Sequence, residues 1–214
     1  MKVKTTKFDY FEICTLENAC VMSDQRYFRV NECVFSYFSH IYNNAGLNER
    51  TVEIPLGEFF INNFGYGVTE VGAVMGYYGF NCGEVIDSHD SLPGVIKANA
   101  VFDIDYSGKN ILSISTVQHF KADQYSNSSN EGSIVFLNKI VSSAKNYLIT
   151  WPLNYNAFLD EYVKNSNFSY FIMKRVSADN KWVKDEFKSF SHLYDSPFPK
   201  ANGICCVTNL ESLL

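Results

Sequence analysis

Residues 110–116 (NILSIST), 133–144 (SIVFLNKIVSSA) and 145–150 (KNYLIT) decide the fold class of this chain of 214 residues. The first and third segments are short and apolar, which predicts buried strands. The segment between them places apolar residues at helical spacing, which predicts an amphipathic helix. A strand, a crossover helix and a second strand form the repeating unit of a parallel sheet, so we expect an α/β protein.

The same alternation extends in both directions along the chain. Further strands are predicted at 68–74, 83–87 and 96–102, and further helices at 53–63 and 158–165. Two late strands follow each other without an obvious crossover helix, at 168–176 and 203–208. We therefore expect a mostly parallel, Rossmann-like sheet with helices on both faces and an antiparallel pair at one edge.

The chain divides into two unequal parts. Residues 51–214 carry the α/β pattern, whereas residues 1–50 are expected to form a helical cap or lid segment, with a helix over 30–42 that ends at Asn43-Asn44-Ala45-Gly46. The polar stretch QYSNSSNEG (124–132) is predicted to be a loop.

Composition excludes several classes of protein. Hydrophobic residues make up 46% and charged residues 19% of the chain, which rules out a disordered polymer. Its 18 basic residues face 23 acidic ones, so the net charge of −5 does not suit a nucleic-acid partner. No apolar stretch reaches the length of a membrane span, and the N-terminal residues lack the apolar segment of an export signal, so a cytoplasmic location is expected.

The cysteines and one acidic pair are the residues of the sequence that could bind a metal ion. Six cysteines without close pairing, in a chain without an export signal, favour reduced thiols, and Cys205-Cys206 read as buried strand residues rather than metal ligands. We predict no metal site. Asp103 and Asp105 form a D-x-D pair, which can share a divalent cation in a nucleotide-sugar-processing enzyme, and which also fits an ordinary turn.

Four segments stand where predicted strands end, and ligands of open α/β sheets bind beyond the carboxyl ends of strands. These are VTEVGAVMG (68–76), EVID (84–87), IKANA (96–100) and ILSISTVQHF (111–120). In this order they resemble the class I S-adenosylmethionine-dependent methyltransferases, and in particular small bacterial members of uncharacterised substrate. The resemblance covers roughly residues 50–209. The spacing from Gly72 to Asp87 is short for a full crossover helix, so we expect a truncated first crossover.

The resemblance implies S-adenosyl-L-methionine as the cofactor and S-adenosyl-L-homocysteine as its product. Glycine allows close approach of the backbone to the ligand, Glu70 can attract an ammonium group, and the carboxylate of Asp87 can accept from two ribose hydroxyls. Asn99 takes the position that reads the adenine edge. The implied cofactor-binding residues are Glu70, Gly72, Ala73, Val74, Tyr77, Asp87, Asn99, Ala100 and Ser115.

His119 is the candidate catalytic residue, because an imidazole suits the removal of a proton from a hydroxyl acceptor at neutral pH. The candidate substrate-binding residues are Gln118, Tyr125, Asn154 and Tyr155. The expected reaction is methylation of a small polar acceptor, with O-methylation of a sugar or another surface (capsular) polysaccharide precursor preferred.

Two other functions stay open at this point. One is the nucleotide-sugar-processing enzyme that would use Asp103 and Asp105. The other is a catalytically inactive methyltransferase-like binding module, because Val74, Asn99 and Gln118 depart from the family pattern. A homodimer is also left open.

Overall fold

The computed structural model describes residues 49–88, 90, 94–120 and 131–214, together with four two-residue strands nearer the N-terminus. These strands pair as two antiparallel hairpins, β1 (Phe11–Glu12) with β2 (Cys20–Val21) and β3 (Phe28–Arg29) with β4 (Phe35–Ser36).

The predicted helix at 30–42 is wrong at Phe35–Ser36, where the backbone pairs with Phe28–Arg29 instead of forming a helical turn. The rest of that prediction lies outside the described residues, as do positions 124–130 of the predicted loop. Positions 131–132 of that loop begin a helix.

The main sheet has seven strands in the order β10-β9-β11-β8-β7-β5-β6. In chain order they are β5 (Val68–Val71), β6 (Glu84–Ile86), β7 (Asn110–Ile114), β8 (Asn146–Pro152), β9 (Tyr170–Arg175), β10 (Trp182–Lys184) and β11 (Gly203–Thr208). Strands β6, β5, β7 and β8 are parallel neighbours, and β11 pairs antiparallel with both β8 and β9. The prediction of an α/β protein with a parallel centre and an antiparallel edge is therefore confirmed.

Within the described residues, three α-helices cover the two faces of this sheet. They are α1 (Arg50–Phe64), α2 (Glu131–Ser143) and α3 (Ala157–Lys164). Alternate side chains of β8 lie on opposite faces of the sheet. Leu148 packs in the hydrophobic core on the α1 side, and Ile149 packs in the core on the side of α2 and α3. Helix α1 begins three residues earlier than predicted, because the N–H groups of Val52 and Glu53 both donate to the Glu49 carbonyl at 3.0 Å.

Several strand boundaries differ from prediction. The expected strand at 96–102 is wrong: a single parallel bridge joins Ile96 to Ile86, and the chain then turns. Strand β10 was not predicted. Strand β8 continues through Pro152, which pairs with Ile204. The truncated crossover is confirmed, since β5 and β6 are joined through one 3-10 turn at Met75–Tyr78 and not through an α-helix.

The reading of Cys205 and Cys206 as buried strand residues is also confirmed. Both lie in β11, are fully buried and carry free thiols.

Candidate functional site

The sheet has a topological switch point between β5 and β7. From β5 the chain moves to β6 on one side and then crosses to β7 on the other side, so the loops that follow β5 and β7 diverge. Ligands of open α/β sheets bind in the crevice at such a point, beyond the carboxyl ends of the strands. The segments that follow β5 and β7 here are 72–74 and 115–117.

Gly72 brings these two segments into contact. Its φ of +87° lies in the left-handed region, and a Cβ added to it would lie 1.9 Å from Oγ1 of Thr116. Its N–H donates to the carbonyl of Ile86 at 2.8 Å, which ties the loop to the end of β6. Position 72 therefore requires glycine for two reasons, the backbone conformation and the close approach of Thr116.

The side chain of Glu70 stabilises the same loop through hydrogen bonds to its backbone. Its Oε1 accepts from the N–H groups of Val74 at 2.9 Å and Met75 at 2.7 Å. The side chain is 1% exposed, and burial raises the pKa of Glu70 to about 7, although these two hydrogen bonds and the neighbouring Cys82 thiol oppose the rise. Glu70 faces a second cleft, of about 360 Å³, on the Cys82 side of the loop. The structure thus gives Glu70 a loop-holding role, and its predicted contact with an ammonium group stays a prediction.

Asp87 lies directly after β6, and its carboxylate stabilises two turns by accepting backbone hydrogen bonds. Its Oδ2 accepts from the N–H of Ala73 at 3.1 Å, and its Oδ1 accepts from the N–H of Asp90 at 2.9 Å. The residue is half-buried. The carboxylate of Asp87 therefore links the loop after β5 to the turn after β6.

A shallow cleft opens beside Asp87. The Asn99–Ala100 turn forms its other side: Oδ1 of Asn99 accepts from the N–H of Val101 at 2.9 Å, and the Ala100 carbonyl accepts from the hydroxyl of buried Tyr106 at 2.7 Å. The cleft is lined by Val71, Gly72, Ile86, Asp87, Ser88, Ala98, Asn99, Ala100, Val101, Thr116 and Phe120. Four of the predicted cofactor residues thus line one cleft, namely Gly72, Asp87, Asn99 and Ala100. The N–H of a fifth, Ala73, donates to the Asp87 carboxylate.

Ser115 directly follows β7 and has a strained backbone conformation, with φ at +42°. Its hydroxyl donates to the carboxylate of Glu53 in α1, at 2.7 and 2.8 Å to the two oxygens. The hydroxyl of Thr150 donates to the same carboxylate at 2.7 Å, and Arg50 Nη1 donates at 2.6 Å. Glu53 is fully buried. The Ser115 hydroxyl proton is therefore already used within the protein.

A row of aromatic rings begins at the candidate base. His119 lies at the end of a 3-10 turn (Val117–His119) that follows β7. Its ring meets the ring of Tyr155 edge to face, with centroids 5.1 Å apart, and Tyr155 meets Tyr194 in the same way at 5.6 Å. Burial, with the neighbouring acids Glu49 and Asp195, raises the pKa of Tyr194 to about 12. We refer to His119, Tyr155 and Tyr194 as the aromatic wall.

The remaining predicted substrate residues differ in their freedom to bind. Gln118 is 2% exposed, and within the described part of the chain its Oε1 accepts no hydrogen bond. Asn154, with φ at +60°, donates its amide to the carbonyls of Phe190 and His192 at 3.2 and 3.0 Å, so it fixes a loop. Tyr125 lies outside the described residues, and of Tyr77 only the backbone is described.

Asp103 and Asp105 each belong to a local turn. Oδ2 of Asp103 accepts from the N–H of Asn99 at 3.0 Å, and Oδ1 of Asp105 accepts from both the N–H and the hydroxyl of Ser107. Nowhere in the described ranges do three or more His, Cys, Asp or Glu side chains come together as a metal site.

Two acidic residues and one basic residue at the start of α1 were not predicted from the sequence to lie near the site. Glu49, Arg50 and Glu53 are 5%, 9% and 0% exposed. Charged residues in an otherwise apolar helix segment were the available signal, because such residues are rarely buried without a specific partner. The pairing of His192 Nε2 with Asp185 Oδ2 at 2.8 Å was also missed, because nothing in the local sequence links two positions on an irregular loop.

No protein-family model matches this chain, and no curated protein matches it significantly. None of the helices within the described residues combines the length and apolar character needed to cross a membrane.

Proposed function

We propose that the protein is a class I S-adenosylmethionine-dependent methyltransferase that methylates a small polar acceptor. The observation that carries this proposal is the cleft at the switch point, in which Gly72, Asp87, Asn99 and Ala100 meet at the carboxyl edge of the sheet. The Rossmann-like methyltransferase fold is part of the proposal. The parallel centre, the antiparallel strand β11 between β8 and β9, and the short first crossover support it.

The residues of the cleft fit a nucleoside. Asp87 brings a carboxylate to the cleft, and a carboxylate can accept hydrogen bonds from two adjacent ribose hydroxyls. The amide nitrogen of Asn99 makes no hydrogen bond with a described residue and can donate to a purine edge, while its Oδ1 keeps the turn in shape. When bound, S-adenosyl-L-methionine supplies an electrophilic methyl group on a sulfonium.

The acceptor would lie against the aromatic wall. His119 is the proposed base, because an imidazole suits the removal of a proton from an acceptor hydroxyl. The buried Oε1 of Gln118 has no hydrogen-bond donor among the described residues, and an acceptor hydroxyl would supply one. Exposed aromatic faces such as Tyr155, at 40% exposure, suit the apolar face of a sugar ring. A sugar, or another precursor of a surface polysaccharide, is the preferred acceptor.

Calorimetry with S-adenosyl-L-homocysteine and S-adenosyl-L-methionine tests the proposal directly. We expect saturable binding of both at micromolar concentrations. Absence of binding at millimolar ligand would remove the proposal. Binding without methylation of any acceptor would identify the inactive binding module instead.

A further inference from the structure

The short connection between β5 and β6 leaves an open cleft on one face of the sheet. In a full βαβ unit, a crossover helix packs over the sheet between its two strands. Here residues 72–83 make the connection, and their only helical part is the 3-10 turn of four residues at Met75–Tyr78. The remaining cleft has a volume of about 360 Å³, which lies in the usual range of small-molecule sites. We refer to it as the Glu70 cleft.

The Glu70 cleft is separate from the cleft beside Asp87. Side chains alternate between the two faces of a sheet along each strand. Glu70 and Val85 are partners in the register of β5 with β6, and both line the Glu70 cleft. The next partners in register, Val71 and Ile86, line the Asp87 cleft instead. The two clefts therefore lie on opposite faces of the sheet.

Glu70 brings one unpaired carboxylate oxygen to its cleft. Its Oε1 accepts from the N–H groups of Val74 and Met75, whereas its Oε2 has no hydrogen-bond partner among the described residues. The neighbouring thiol of Cys82 is only a weak donor. None of the ion pairs between described residues includes Glu70. Since Glu70 is 1% exposed, a ligand that donates to Oε2 would satisfy a buried acceptor that the described residues leave unpaired.

We propose that the Glu70 cleft binds a small organic ammonium ion, whose NH₃⁺ group donates to Oε2 of Glu70 and whose hydrocarbon body packs against Phe80 and Val85. The inference goes beyond the proposed function and does not depend on it. Cys82 lines the same cleft and is only partly buried, so rotation of its side chain would give the ammonium group access to Oε2.

Two features of the Glu70 cleft select an ammonium ion among possible donors. A cation is favoured over a neutral donor because it also compensates the charge of a buried carboxylate. An ammonium group is favoured over a guanidinium group because Oε1 is already occupied by two N–H groups. The planar fork of a guanidinium binds best to both oxygens of a carboxylate, whereas an ammonium group needs only one.

The test measures binding of n-pentylammonium to the full chain by calorimetry at constant ionic strength, with n-pentanol as the uncharged probe of the same length. We expect saturable binding of the amine that is at least about 10-fold tighter than binding of the alcohol. Glu70→Gln should remove this difference, because glutamine can still accept from the loop N–H groups but carries no charge.

Two control variants should bind the amine like wild type. Glu84→Gln changes a carboxylate of β6 that pairs with Lys109 and does not line the cleft. Cys82→Ala changes the cleft without changing its charge. Loss of binding in Cys82→Ala would show that the thiol holds the ligand, and equal binding by Glu70→Gln and wild type would show that the carboxylate does not. Either result, or no amine binding to wild type, overturns the inference.

Saturating S-adenosyl-L-homocysteine distinguishes the Glu70 cleft from the proposed cofactor site. The amine should bind with unchanged stoichiometry in its presence, whereas competitive displacement would place the ammonium group in the cofactor site and overturn the inference. If S-adenosyl-L-homocysteine does not bind, the proposed function fails and the amine test still stands. If Glu70→Gln does not fold, Val85→Phe keeps the carboxylate and fills the cleft from β6, and undiminished amine binding by that variant overturns the inference.

Discussion

The Ser115 hydroxyl donates to both oxygens of the Glu53 carboxylate, at 2.7 and 2.8 Å, across 62 positions of sequence. This contact fastens the N-terminal end of α1 to the loop after β7. Because Arg50 also pairs with Glu53, the whole arrangement depends on one buried carboxylate.

Removal of that carboxylate should be costly. Glu53→Ala leaves the buried Arg50 without its partner and two hydroxyls without their acceptor, so we expect a loss of about 3–5 kcal/mol in the free energy of unfolding, measured by urea denaturation. Glu58→Ala on the same helix should cost less than about 1 kcal/mol. Replacing both charges, as Arg50→Met with Glu53→Gln, should recover part of the loss. Equal stabilities for Glu53→Ala and Glu58→Ala would contradict this account.

Gly72→Ala should destabilise the protein more than another glycine with similar backbone geometry. The new Cβ would meet Thr116, and φ at +87° disfavours alanine, so we expect a loss of about 2–5 kcal/mol together with weaker S-adenosyl-L-homocysteine binding. Gly108 has φ at +71° and open space around it, so Gly108→Ala isolates the backbone cost of about 1 kcal/mol. Thermal unfolding of the two variants compares them directly, and similar melting shifts would show that Thr116 moves aside without cost.

Glu70 should make stability fall as pH rises. Its pKa is about 7 in the folded protein, against an ordinary value of 4.5, so the folded state holds its proton more tightly than the unfolded state does. The contribution is fully present below about pH 4.5 and is lost as pH rises through 7, with a slope that approaches about 1.4 kcal/mol per pH unit. Urea denaturation between pH 5 and pH 7 should show a flatter dependence in Glu70→Gln. An unchanged slope in this variant would mean that Glu70 is ionised throughout the range.

Asp87→Ala should weaken S-adenosyl-L-homocysteine binding about 10-fold to 100-fold, because two charge-assisted hydrogen bonds to ribose hydroxyls are lost. Asp105→Ala removes an exposed carboxylate that serves only its own turn, so it is the matched control for calorimetry. The ribose role of Asp87 is refuted by a dissociation constant equal to that of wild type in a folded variant.

His119→Ala should lower methyl transfer about 10²-fold while S-adenosyl-L-homocysteine affinity stays similar. His192 is engaged by Asp185, so His192→Gln should reduce stability more than turnover of the folded protein. If His119→Ala lowers cofactor affinity and turnover equally, the ring contact with Tyr155 is structural.

Local patterns in the sequence were sufficient to predict the central strands. In β7 and β8 the apolar runs are buried on both faces, so pattern and structure agree. The position of β11 could not be predicted, because nothing local indicates that the last strand lies between β8 and β9. At 96–102, the side chains of Asn99 and Asp103 bind backbone N–H groups of their own turn, which competes with strand pairing.

The candidate site was predictable where it follows strand ends and not where it depends on distant packing. Gly72, Asp87 and Asn99 follow the ends of β5, β6 and the Ile96 bridge, so topology alone brings them to one edge. Glu49 and Glu53 reach that edge only because α1 crosses the sheet face in the opposite direction to β5. Local periodicity in the sequence does not indicate that direction, because the direction depends on tertiary packing.

The place of β11 in the sheet has a consequence for the order of assembly during synthesis. Strands β9 and β10 join the rest of the sheet only through β11, although both are made before it. Until residues 203–208 emerge from the ribosome, β8 has an open edge along Leu148–Pro152, with apolar side chains and unpaired backbone groups. Such an edge can pair with another nascent chain, so the newly made protein is most exposed to aggregation, and most dependent on chaperones, just before its last strand is in place.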